Sequence, residues 1–178
     1  RPAPRRGEDR NAIVALLERE LLLPTLFFCF SRRECEQRAR ETLQRYALLQ
    51  PDESQRIEAL FDSICTAFEI APDPDLEEQR ALVRKGIAYH HAGMLPLHKE
   101  LVERLFTSGL LRLLFATETF ALGINMPART VVFSSLRKFD GVNFDYLRTR
   151  DYMQMAGRAG RQGIDPAGLV VADLAGRG

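Results

Sequence analysis

Short, nearly continuous apolar runs recur along this chain, and each ends in a helix start or a loop of small polar residues. Residues 25–30 (Thr-Leu-Phe-Phe-Cys-Phe) lack the polar alternation of a half-exposed strand and are rich in aromatics, as a strand covered on both faces requires. Residues 87–90, 110–116, 129–134 and 168–172 have the same character, and 129–134 is rich in β-branched residues. Helical periodicity fills the intervals, so the sequence predicts an α/β fold with a mainly parallel sheet and helices on both faces.

Ile13, Leu16, Leu17 and Leu21 fall at helical spacing, which predicts a helix over residues 11–21 capped by Asp9 or Asn11 and stopped before Pro24. Residues 1–10, opening Arg-Pro-Ala-Pro-Arg-Arg-Gly, read as a linker or a cut through a larger protein, with the domain running from 11 to 178. Ser31 followed by Glu34 forms a capping-box pattern, so a helix carrying Cys35, Ala39, Leu43 and Tyr46 starts directly after the first strand. Between about 51 and 85 lies a helical insertion. Ile57, Leu60, Phe61, Ile64, Cys65 and Phe68 make one stripe, Pro72 and Pro74 break it, and Gly86 closes a second short helix. Packing is the expected role of this segment. Asp52-Glu53 is no metal box, because it follows Pro51 at a helix start, where acidic residues are favoured, rather than a buried strand. Pro96 starts a further helix with Leu97, Leu101, Val102, Leu105 and Phe106 toward the core. Lys138-Phe139-Asp140-Gly141 reads as a polar turn, followed by a short helix from Thr149 or Asp151.

Charge alone excludes little. With a formal net charge of +1 the chain has no global attraction for a polyanion, so any nucleic-acid role depends on local placement of cations. Cys29, Cys35 and Cys65 are odd in number and lack metal-type spacing, which points to reduced thiols in an intracellular, cytoplasmic setting. His90 and His91 are neighbours in a strand and point to opposite faces, so together with His98 they make a poor metal site. No apolar run reaches membrane-spanning length.

In a parallel sheet, ligands gather at the carboxyl ends of the strands. Ser31, Arg32 and Arg33 follow the first strand, Gly93 the second, and Thr117, Glu118 and Thr119 the third. Near the end of the chain stands Gln154-Met-Ala-Gly157-Arg158-Ala-Gly160-Arg161-Gln-Gly163. Two arginines three residues apart, flanked by glycines, let two planar cations reach one polyanion. Gly157, Gly160 and Gly163 do not have dinucleotide-fold spacing and follow a helical stretch, which argues against a nicotinamide enzyme.

In this order and spacing the segments resemble the second RecA-like motor domain of superfamily-two helicases, especially the superkiller-type DExH-box RNA helicases that feed exosomes. Residues 27–33 look like motif IV, 86–106 like the strand, loop and helix that follow it, 115–128 (Phe-Ala-Thr-Glu-Thr-Phe-Ala-Leu-Gly-Ile-Asn-Met-Pro-Ala) like motif V, and 154–161 like motif VI. The Thr117-Glu118-Thr119-Phe120 and Lys138-Phe139-Asp140-Gly141 wording favours the RNA branch over repair-type DNA helicases. The resemblance implies that Arg158 and Arg161 are arginine fingers and that Gln154 lies near the γ-phosphate. It also implies that Gly123, Asn125 and Gly157 approach the nucleotide, and that Ser31, Arg32, Gly93, Thr117, Glu118 and Thr119 hold the nucleic-acid backbone. ATP and Mg2+ are the implied cofactors. Implied partners are the first RecA-like domain of the same protein, single-stranded RNA (DNA as the alternative) and an RNA-degradation complex, with no membrane involved.

The sequence departs from a whole motor in one respect. It contains no Gly-x-x-x-x-Gly-Lys-Ser/Thr loop and no strand-borne Asp-Glu box, so the cradle for ATP phosphates belongs elsewhere and the chain is expected not to hydrolyse ATP alone. A nucleic-acid-binding module without catalysis is the competing class, although such a module has no use for Arg158 and Arg161.

Overall fold

A computed structural model describes residues 6–117, 128–134, 137–140, 143–146 and 169–172, with side-chain detail over 13–117 and 128–134. Its centre is a five-stranded sheet of β1 (Thr25–Phe28), β2 (Ile87–His90), β3 (Leu113–Ala116), β4 (Thr130–Phe133) and β7 (Leu169–Ala172), in the order β2-β3-β1-β4-β7. Every pairing is parallel. The helices are α1 (Arg6–Arg19), α2 (Arg32–Arg45), α3 (Pro51–Ala67), α4 (Pro74–Val83) and α5 (Pro96–Thr107).

Strand alternation divides the core into two layers. Leu26, Phe28, Ala88, Leu114, Ala116, Val131 and Phe133 face one side and pack with Ile57, Phe61 and Ile64 of α3 and Leu101, Val102 and Leu105 of α5. Phe27, Ile87, Tyr89, Leu113, Phe115 and Val132 face the other, against Val14 and Leu17 of α1 and Cys35 and Ala39 of α2. The helix α4 serves both layers, Leu76 and Val83 joining the first and Leu82 the second. The helical insertion expected over about residues 51–85 is present as α3 and α4, and both pack into the core. Cys29 and Cys35 are buried free thiols, whereas Cys65 is only half-buried; burial and a hydrogen bond with Cys35 push the Cys29 thiol well up.

Helix boundaries follow from local chemistry. Ser31 Oγ accepts from Glu34 N–H at 3.0 Å, while the Glu34 carboxylate turns toward Arg38 rather than back to the cap. Asp73 caps α4 by accepting from Leu76 N–H at 2.7 Å. At α3, Glu53 accepts from Gln50 N–H at 3.0 Å and from the Arg112 guanidinium at 2.9 Å; those two bonds, the backbone one first, hold its carboxyl below the usual range. Gly86 ends the α4 region at φ +86, and a Cβ there would lie 2.9 Å from Leu49 Cγ, so both backbone and space demand glycine.

Three expectations need correction. The first helix starts at Arg6, not Asn11, and ends at Arg19, so Asp9, read as a cap, lies within it. The third strand is Leu113–Ala116, shorter than residues 110–116, because Gly109 (φ +81) and the bond from Leu110 N–H to Ser108 Oγ make a turn there. Lys138, Phe139 and Asp140 are not a turn but part of β5 (Arg137–Asp140), paired antiparallel with β6 (Asn143–Tyr146). The polar composition read as a turn did not reveal that Asp140 pairs with Asn143 and the residues before it with those after.

Candidate nucleic-acid interface

Because the strands are parallel and in register, their carboxyl ends lie along one edge, with Phe28, His90, Ala116 and Phe133 at the same level. Four predicted contacts fall there. Ser31 and Arg32 are exposed where β1 enters α2, Gly93 is exposed in the turn after β2, and Thr117 follows β3 between them, with its N–H bonded to His90 O at 3.2 Å. The clearest juxtaposition is Arg32 with Gly93, where a Cβ would lie 3.1 Å from Arg32 Nη1. Glu118, Thr119, Gly123, Asn125, Gln154, Gly157, Arg158 and Arg161 lie outside the described residues.

Many of the arginines have carboxylates: Arg40 with Glu78, Arg80 with Asp62, Arg84 with Glu58, Arg104 with Glu100 and Arg112 with Glu53, while Arg45 and Lys85, away from this edge, make no ion pair among the described residues. Among the described residues, Arg32, Arg33 and Lys99 make no ion pair. The α5 N-terminus stands beside them with Leu95 at its cap position, no side-chain cap and no acidic residue in its first turn. Uncapped amides, the positive end of the helix dipole and free guanidinium groups together favour a phosphate chain.

The Gly93 expectation needs refinement. Its amide is occupied, donating to His91 Nδ1 at 3.0 Å, so this N–H does not point at a ligand. His91 and several supporting side chains were not among the residues singled out as site residues. His91 Nε2 lies 3.3 Å from Glu36 Oε1, its ring stacks on Tyr89 at 5.7 Å, and Tyr89 OH donates to Glu78 Oε1 at 2.9 Å. Arg40 binds both Glu78 oxygens at 2.9 Å. The signal available in sequence was alternation, which aims His91 at the face α2 covers.

His90 goes the other way, its Nε2 lying 2.9 Å from Glu103 Oε1 on α5. Each neighbouring histidine thus meets a carboxylate on a different helix. Burial first, then Lys99 and His91, push the His90 pKa from 6.5 down to about 4. Between those values the folded chain binds fewer protons than the unfolded one, so His90 makes stability fall as the medium is acidified through that window. Glu103, raised by burial, opposes part of this. His90→Gln is expected to flatten the acid limb of the stability curve by up to about 3 kcal/mol, read from urea midpoints across that pH window. An unaltered slope would show that His90 does not govern it.

Comparison with known proteins agrees with this arrangement. Residues 60–163 match the helicase conserved C-terminal domain family, more than half of the chain. Superkiller complex protein 2 from Mus musculus is 45% identical over 177 residues, covering 96% of this chain and 14% of the relative. DExH-box ATP-dependent RNA helicase DExH10 from Arabidopsis thaliana is 44% identical, covering 92% of this chain and 16% of its own length. Exosome RNA helicase MTR4 from Homo sapiens is 42% identical, with 89% and 15% covered. The chain thus spans only about 14–16% of the length of these relatives. The parallel RecA-like sheet, the family match over residues 60–163 and the identity to these relatives place the chain in the helicase conserved C-terminal domain family, as a superfamily-two DExH-box helicase domain closely related to the superkiller and MTR4 type.

Proposed function

We propose that this chain is the second motor domain of an ATP-dependent RNA helicase, gripping the backbone of single-stranded RNA while completing an ATP site held mainly by a first motor domain. The observation that carries this reading is the grouping of Arg32, Arg33 and Lys99, none of them in an ion pair among the described residues, at the strand ends beside the uncapped start of α5. A guanidinium spared from internal ion pairs is available to release counterions from a phosphate chain. Ser31 and Thr117 add hydroxyls at the same edge, and Glu118 and Thr119, next in sequence, contribute further polar groups to the backbone grip. Contacts of this kind read the backbone rather than the bases, as a translocating motor requires.

On the nucleotide side, Arg158 and Arg161 carry the charge that meets the transferring phosphoryl group. Gln154 senses the γ-phosphate, and Gly123, Asn125 and Gly157 line the approach to the nucleotide. ATP with Mg2+ supplies the free energy of movement, and the loop that cradles its phosphates belongs to the partner motor domain. The isolated domain therefore does not turn over ATP. The relatives named for an exosome or a superkiller complex favour a place in RNA degradation, in a cytoplasmic or otherwise intracellular protein.

ATP turnover of the full-length protein with single-stranded RNA or DNA as stimulant tests this reading. RNA is expected to stimulate more strongly. Equal or greater stimulation by DNA would assign a repair-type DNA motor instead, and no stimulation by either would assign a non-catalytic binding module.

A further inference from the structure

The turn after β2 is held by the ring of His91. Gly93 N–H donates to Nδ1 at 3.0 Å, which requires Nδ1 to carry no proton. The ring proton then sits on Nε2, 3.3 Å from Glu36 Oε1 on α2. The same residue closes the turn through its backbone: Met94 N–H donates to His91 O at 3.2 Å, and His91 N–H points at Met94 Sδ at 3.4 Å. Neighbours leave the ring little freedom. It lies 5° from parallel with Tyr89, whose hydroxyl is fixed by Glu78, and Glu78 is fixed by Arg40, which also lies 3.9 Å from Glu36. Three elements, α2, α4 and β2, thus set the orientation of a buried imidazole.

The outer surface of that turn touches the cation of the proposed interface. A Cβ at Gly93 would lie 3.1 Å from Arg32 Nη1 and 3.1 Å from His91 Nδ1 and Cε1. Arg32 has no carboxylate to orient it among the described residues, so the surface it packs on sets its position. We propose that His91 is a positioning residue for nucleic-acid binding, its Nδ1 fixing the Gly93 turn that holds the Arg32 guanidinium toward the phosphate chain. This rests on the RNA-binding reading of the strand-end edge. It also gives the α4 region a functional connection, since Glu78 reaches the interface through Tyr89 and His91.

Two substitutions separate the ring's two bonds. In His91→Asn the amide oxygen can take the place of Nδ1 and accept from Gly93, while the bond to Glu36 is lost. In His91→Gln the longer side chain can reach Glu36 but leaves no acceptor beside Gly93. Binding of a single-stranded oligouridine to the full-length protein is expected to weaken about tenfold in the Gln variant, the cost of roughly one well-made hydrogen bond, and to stay within about threefold of wild type in the Asn variant. Thermal unfolding is expected to shift similarly in both, so an effect through stability alone would not separate them. Wild-type-like binding by the Gln variant, or equal loss in both, would overturn the inference. Arg32→Ala serves as the reference. If it weakens binding while the Gln variant does not, only the His91 role falls; if wild type itself does not bind the oligouridine, the RNA reading falls with it.

Discussion

Alanine at Arg158 in the full-length protein is expected to lower RNA-stimulated ATP turnover by about 10³-fold or more, with folding and RNA affinity little changed. The magnitude comes from what a guanidinium does at a transferring phosphoryl group, where charge spreads over the equatorial oxygens in a site depleted of water. An interaction made mainly in the transition state appears in turnover rather than in binding. Lysine at 158 is expected to restore little, because a point charge does not reproduce the planar fork. Steady-state turnover, with ATP affinity measured separately, provides the check. Normal turnover by a folded Arg158→Ala protein would refute the finger role and favour a chain that only binds nucleic acid.

The second large effect is on stability. Phe61→Ala in α3 is expected to destabilise the domain by about 3–5 kcal/mol, a large part of the 5–15 kcal/mol typical of a native protein. Phe61 is fully buried in the layer shared by α3, α5 and the sheet, and the Arg80 guanidinium lies 4.7 Å from its ring centroid. Truncation removes a large apolar area, leaves a cavity bounded by β-strand side chains that cannot collapse into it, and strips Arg80 of its aromatic partner. The midpoint of denaturant unfolding should drop with its slope unchanged. A loss below about 1 kcal/mol would mean that α3 is an appendage to the sheet rather than part of its core.

Much of the fold was legible because doubly covered parallel strands must be apolar on both faces. Thr25 to Phe28 and Thr130 to Phe133 are buried at every position, and no amphipathic reading competes with such runs. The cap at Ser31 is equally local, since donor and acceptor lie three residues apart. What escaped was non-local or depended on pairing. The β5–β6 hairpin needed a partner strand to distinguish it from a bare turn. The support of the candidate site depends on contacts between residues far apart in sequence, 38 positions for Arg40 with Glu78 and 55 for His91 with Glu36. No spacing rule predicts such pairs. The placement of Ser31, Arg32, Gly93 and Thr117 along one edge was legible because a strand's end marks itself; the bond that occupies the Gly93 amide does not.

Arg112 has a mechanical consequence at the opposite edge of the sheet. Its guanidinium binds Glu53 of α3, its N–H donates to Gly86 O at the start of β2, and its carbonyl accepts from Thr25 N–H at the start of β1. Ser54 Oγ to Arg84 O at 2.6 Å and Leu48 N–H to Lys85 O at 2.9 Å fasten the same region. The starts of β1 and β2 and the entry to β3 are thus tied to one another and to α3 through a single residue, so displacing any one of these three strands along its axis strains bonds held by the other two.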